Sequence, residues 1–356
     1  MKHSHYKNVF LCVLVLAVLS SCVYPQVSGN GNVVKNEINV PAFHGIDVEN
    51  GFDVIVTQGT SNHLTVEADE NLHELIKTEV TNGILKISLE KNVWERKALK
   101  AFVTVTELSS VKVSGGGDVK SENLIEVTDI KVDISGGGDL DFTIKGNSMK
   151  TNLSGGGDGN LEAQVKNMFV NISGGGNLEM ILQTNELEGT LSGGGDADII
   201  LGKNSESIDL TFSGGGDLEI EGTSNKVKVN ISGGGDIDMN SSGESDIIIF
   251  NVSGGGDVDM VTHTNELNLN ISGGGDADLE GSAGIMKATV KSGGELYAYE
   301  LEAEKASINL SGGSNAEIMV TGELNVNASG GGQIHVRGNP VINEEKLSGG
   351  SKIFKK

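Results

Sequence analysis

The chain has 356 residues, 52 of them glycine, with 3 prolines and 4% aromatic residues, so collagen, a proline-rich linker and a core of bulky rings are all excluded. Acids number 49 against 26 bases, for a formal charge of -23, and the only arginines are Arg96 and Arg337. Phosphate recognition needs a basic face that this composition does not supply, which excludes nucleic acid as a partner.

Residues 1–22 carry the marks of an export signal. Lys2 and Lys7 precede an apolar run from Val9 to Leu19, and that run is shorter than the ~20 residues needed to cross a bilayer. Leu19-Ser20-Ser21-Cys22 follows and resembles the bacterial lipoprotein box, in which the cysteine is lipidated and becomes the first residue of the mature chain. Cys12 lies in the run that cleavage removes, so Cys22 would be the sole mature cysteine. Neither a disulfide nor a cysteine-ligated metal site can then form within one chain. The resemblance implies a membrane partner through the lipid anchor and a place in the cell envelope, at the outer membrane, facing the periplasm or the exterior.

Residues 23–42, with Ser28-Gly29-Asn30-Gly31-Asn32, are polar and glycine-rich, as expected of a flexible tether. Residues 43–113 form a β-rich entry. Ile46, Val48, Phe52, Val54 and Val56 alternate with polar neighbours, which predicts strands. Leu64-Thr65-Val66 and Ile84–Leu89 continue the pattern, and Asn82-Gly83 predicts a tight turn before the latter. Asp69–Lys77 is the one stretch after the signal that suits a short helical turn.

Over residues 114–356 the chain repeats itself, and a repeat governs a fold more strongly than local propensity. The landmark is Ser-Gly-Gly-Gly-Asp; its serine recurs thirteen times between Ser114 and Ser348, at spacings of 18 to 21 residues. Each landmark lies between two stretches of period two, which is the period of a strand. The residue before the serine is apolar in nearly every copy, as at Val113, Ile134, Leu153, Ile172 and Phe212, so these side chains must share an interior. Two before the serine stands asparagine at Asn152, Asn171, Asn230, Asn251, Asn270, Asn309 and Asn327, which predicts an outward ladder of stacked amides. A unit of this size cannot bury its own apolar edge and must stack on its neighbours. The fold class is therefore all-β: a parallel β-solenoid of 19–21-residue coils, closed by a C-terminal capping coil. The usual crossover preference makes it right-handed. Two-residue expansions such as the one in Gly202–Ser207 map to turns, where insertion costs little.

Three glycines at one corner of each coil suit a sharp turn with close backbone approach. The aspartate after them is followed two residues later by a second acid on the same outward face. The longest unbroken run is Asp196, Asp217, Asp236, Asp257 and Asp276, flanked by Asp198, Glu219, Asp238, Asp259 and Asp278. Carboxylates on coils ~4.8 Å apart repel, so something must offset them. Backbone N–H groups of the glycine corner are one candidate. Calcium, a hard cation that takes carboxylate oxygens, is the other and the only cofactor the pattern suggests.

Phe43-His44-Gly45-Ile46-Asp47-Val48, Gly51–Gly59, Asn82–Ile87 and the entry Val111–Asp118 together resemble the auto-transporter adhesin family with the head GIN domain, as does Gly338-Asn339-Pro340-Val341 near the end. That resemblance implies a secreted or lipoprotein chain of Bacteroidetes-type bacteria, a parallel β-helix and an adhesion role, with no catalytic residues to carry over. The expected function is a surface-tethered rod that binds a surface glycan or a protein. A polysaccharide lyase or hydrolase is the alternative, since β-helices host both. A hydrolase would want a carboxylate pair in a cleft, whereas these acids are spread evenly and Arg96 and Arg337 fall outside the regular repeats. His44, His63, His73, His263 and His335 show no ligand spacing, while Tyr297 and Tyr299 interrupt the acidic pattern where a glycine corner is shortened, marking a bulge or a contact.

Overall fold

The structure, a computed structural model, describes residues 27–202 and 205–356. The signal segment with Cys22, the first four residues of the expected tether, and Lys203 and Asn204 of the expansion lie outside the described residues.

The entry is a mixed cap. Strand β1 (Val33–Ile38) pairs antiparallel with a strand contributed by His63–Asp69, from Val33 against Asp69 to Ile38 against Leu64. The expected flexible tether is instead tied to the cap from Val27, which bridges Val93, and becomes a strand at Val33, where β1 covers an edge that the cap would otherwise expose. Strands β2 (Gly45–Val48) and β3 (Asp53–Gln58) follow, and His63–Asp69 is β4. A 3-10 turn at Glu70–Leu75 then leads into the hairpin of β5 (Ile76–Thr81) and β6 (Ile84–Leu89). Asn82 and Gly83 have φ of 53° and 76°, the left-handed pair that a two-residue hairpin needs. After β7 (Leu99–Val105) the cap separates into two ladders. One runs β1, β4, β7, β3 and the other β5, β6, β2, and the solenoid grows from β3 and β2.

Asp69 ties the cap together. Its carboxylate is fully buried and accepts N–H bonds from Gly31 at 2.6 Å, Lys97 at 2.8 Å and Ala98 at 3.2 Å. Burial pushes its pKa up, but these amide donors outweigh burial and hold it below the ordinary value.

From Ser110 the coils stack in parallel, about 13 of them. Each coil gives one strand to each ladder. Ser148–Gly155 pairs with Asn167–Gly174 on one side, and Gly159–Gln164 pairs with Leu178–Gln183 on the other. Period-two sequences place Leu161, Met180, Ile199, Ile220 and their counterparts between the ladders, essentially without solvent exposure. The apolar residues before the serines are buried as expected, with Ile172 and Leu347 only partly so, while Lys291 before Ser292 is exposed. Expansions fall at the corner opposite the glycines. Asn240 faces Val261 but Glu244 faces His263, so two extra residues are absorbed between them without disturbing either ladder.

The glycine corner is set by neighbouring coils. Gly155 has φ of +126°, and a Cβ there would stand 1.6 Å from the carbonyl oxygen of Gly136. A Cβ on Gly157 would stand 2.0 Å from that of Gly138. The middle glycine, Gly156, has open space around it.

Arg337 departs from the sequence reading. It ends strand Gln333–Arg337, within the stack, in parallel register with Ala316–Met319.

Candidate functional site

The acids after the glycines form a ladder that crosses coils. Asp217 N–H donates to Oδ1 of Asp196, Asp236 to Asp217 and Asp257 to Asp236, each at 3.0 Å. Asp276 donates to Asp257 and Glu295 to Asp276, both at 2.8 Å. The donor is thus the next coil's aspartate, not a glycine of the same corner as expected. The middle glycine's amide is already committed to a glycine carbonyl one coil back, as in Gly175 to Gly155 at 3.0 Å and Gly194 to Gly174 at 3.0 Å. Asn177 belongs to the same ladder: it donates to Asp158 and accepts from Asp196. Its presence in an aspartate column was the available sign that an acceptor oxygen, rather than a charge, is what the position requires.

The second acids lie in register beside this ladder. Asp198, Glu219, Asp238, Asp259 and Asp278 follow one another from coil to coil. Asp198, Glu219 and Asp238, with Asp139, Asp141 and Asp158, line an open groove of about 670 Å³, and Asp259 and Asp278 line its continuation of about 400 Å³. Lys120 pairs with Asp141 at 2.9 Å near one end. Partial desolvation in the groove, and then the charges of Asp238, Asp278, Asp257 and Asp236, push the Asp259 pKa upward. Like charges in line therefore disfavour the ionised form of Asp259. Among the described residues, no group of three or more His, Cys, Asp or Glu side chains is placed to hold a metal ion.

On the other ladder the amides stack as the sequence implied. Asn171 donates to Asn152, Asn251 to Asn230 and Asn270 to Asn251, each at 2.9 Å. A third line escaped the sequence reading: buried hydroxyls at the corner opposite the glycines. Thr184, Ser224 and Thr264 donate to the backbone carbonyls of Glu186, Lys226 and Glu266 at 2.9, 3.0 and 3.1 Å. Variable spacing at that corner hides them from a repeat alignment.

The histidines remain apart. His44 meets Ser109 at 2.8 Å, His63 meets Thr65 at 3.1 Å and His263 meets Ser282 at 2.9 Å.

Among the described residues, no helix is long and apolar enough to cross a membrane. A search of curated proteins found no match to this chain. Among solved structures, a protein described as "putative lipid binding protein" from Parabacteroides distasonis is 18% identical, over 93% of this chain and 99% of that one, with a TM-score of 0.39. A "putative adhesin" from Bacteroides fragilis is 21% identical over 67% of this chain and 99% of that one, with a TM-score of 0.48. Another from Parabacteroides merdae is 16% identical over 93% and 99%, with a TM-score of 0.35. The family described as "putative auto-transporter adhesin, head GIN domain" matches residues 42–224, 182–250 and 224–340, most of the solenoid with its cap, and the chain belongs to that family.

Proposed function

We propose that the chain is an adhesin-like rod of the cell envelope, held to the outer membrane by a lipid on Cys22, and that it binds rather than catalyses. One observation carries this reading. Among the described residues its polar groups form continuous ladders along open faces, as Asp196 through Asp276 do, and these acids line an open groove rather than an enclosed cleft. Neither arginine lines the acidic groove. Arg96 donates to the carbonyl of Gly51 at 2.9 Å, and the guanidinium of Arg337 lies 3.8 Å from the ring centroid of Tyr299. Family membership agrees with a binding role.

The test uses cells that make the full chain. Envelope fractionation and adhesion of these cells to a glycan array are compared with cells making Cys22→Ser. The expected outcome is envelope retention and surface adhesion for the natural chain and release into the soluble fraction for the variant. Equal retention of both, or adhesion no greater than that of cells lacking the chain, would overturn the reading.

A further inference from the structure

The acidic pattern does not reach the end of the rod. The column that contains Asp238, Asp259 and Asp278 continues through Tyr297 and Glu317 to His335 and Phe354. The rings of His335 and Phe354 stack, with centroids 4.9 Å apart and planes at 15°. Phe354 lies in the outermost coil described, paired on one side with His335, and is 39% exposed.

Beside this stack lies a second aromatic contact. The strand Glu295–Ser311 slips register against Asn315–Ala328 between Ala298 and Glu302. Tyr299 sits in that slip, where two later coils reach it. Arg337 lies over its ring at 3.8 Å and Lys356 at 5.3 Å. Among the described residues, the Tyr299 hydroxyl and His335 Nδ1 are buried without a hydrogen-bond partner.

The charge reverses at the same place. Residues 333–356 hold Arg337, Lys346, Lys352, Lys355 and Lys356 against Glu344 and Glu345, in a chain whose formal charge is -23. Lys346 is paired with Glu344. Among the described residues, the other four cations form no ion pair with a carboxylate side chain. Lysines on a final edge strand discourage edge-to-edge pairing, which accounts for Lys352 and Lys355 by themselves. It accounts neither for an open phenyl face nor for the cations gathered about Tyr299.

From this juxtaposition we propose that the last coils are a binding tip for an acidic polysaccharide, with a sugar ring seated on Phe354 and its anionic groups received by Arg337, Lys352, Lys355 and Lys356. The apolar C–H face of a sugar matches an exposed ring, and its charges match unpaired cations. The remainder of the rod is acidic and repels such a polymer, so approach is steered to the tip. An anionic bilayer shares the charge but not the shape, because the tip offers one half-exposed phenyl ring and no amphipathic helix to insert. The proposal rests on the reading of the chain as a surface-binding rod and names the ligand class of that rod.

Immobilised full-length chain is exposed to polygalacturonate, heparin, neutral dextran and phosphatidylglycerol vesicles. The two acidic polymers distinguish carboxylate from sulfate recognition. The expected result is binding of at least one of them, weakening with added salt, with dextran and vesicles inert. Phe354→Ala and the pair Arg337→Gln with Lys356→Gln should each weaken it about tenfold, a change of about 1.4 kcal/mol. Glu219→Gln, in the groove, should leave it unchanged. The salt titration and the polymer comparison use the unaltered chain, so they hold even if a variant fails to fold. Absence of binding to both acidic polymers, salt-independent binding, preference for vesicles, or full affinity in folded tip variants would each overturn the proposal. Array adhesion that survives in such a case would leave the broader reading standing, whereas loss of all adhesion would remove both.

Discussion

The backbone N–H of Asp257 donates to Oδ1 of Asp236, one coil earlier, at 3.0 Å. What the ladder uses is an acceptor oxygen, and a carboxamide supplies one without charge, as Asn177 already does. Asp236→Asn should therefore hold or raise the melting temperature. Asp236→Ala should cost about 1 kcal/mol through the orphaned amide. Chemical denaturation of the two variants side by side checks this, and equal losses would show that charge matters more than the acceptor.

Gly234 and Gly235 are adjacent but unequal. A Cβ on Gly235 would stand 1.7 Å from the carbonyl oxygen of Gly216, while Gly234 has open space and does not lie in the left-handed region. Gly235→Ala should cost about 3 kcal/mol by overpacking. Gly234→Ala should stay within about 0.5 kcal/mol of the natural chain. Urea midpoints distinguish the two directly.

Two aspartates set opposing pH responses. Asp69 has a lowered native pKa, so the stability it provides is complete above the unfolded value of ~3.9 and is lost as pH falls from there through the native value. Asp259 has a raised native pKa, so its charged form disfavours the fold; stability rises as pH falls through that raised value towards ~3.9. The melting temperature should therefore climb on mild acidification and then drop. Asp259→Asn should flatten the climb, and Asp69→Asn should flatten the drop while lowering stability at neutral pH.

The ladder bonds give each carboxylate from Asp196 to Asp257 an amide donor from the next coil, an offset that needs no bound ion. Calcium and sodium at equal ionic strength should then shift melting alike, by general screening. A rise specific to millimolar calcium, with heat in a calorimetric titration, would instead establish a site by mass action.

The repeat made the solenoid legible, because a unit with apolar side chains at Leu153, Leu191 and Phe212 has nowhere to bury them except against its neighbours. The Asn152 and Asn171 amides were legible for the same reason: one period separates them and one face holds them. Partners across coils were not. Which amide meets Asp236 depends on register in three dimensions, and the middle glycine's amide that looked available locally goes to a glycine carbonyl one coil back, as in Gly234 to Gly214. β1 was hidden because Val33–Ile38 is half polar and gains its strand character from the β4 edge it covers. Tyr299 could be flagged as an interruption, but its meeting with Arg337, 38 positions further on, follows from a slip in register that no local pattern encodes.

Hydrogen bonds between parallel strands lie along the rod rather than across it. A pull applied at the last coil is therefore borne end-on by the rungs, with the two ladders sharing the load. Rungs are interrupted where the register slips between Ala298 and Glu302, and there the contact of Arg337 with Tyr299 reaches back from a later coil. Under tension the rod has a built-in parting line, with a side-chain rivet across it. Rupture there would release the final coils and leave the shaft folded, which stretching of single tethered molecules would register as a first short extension ahead of any longer one.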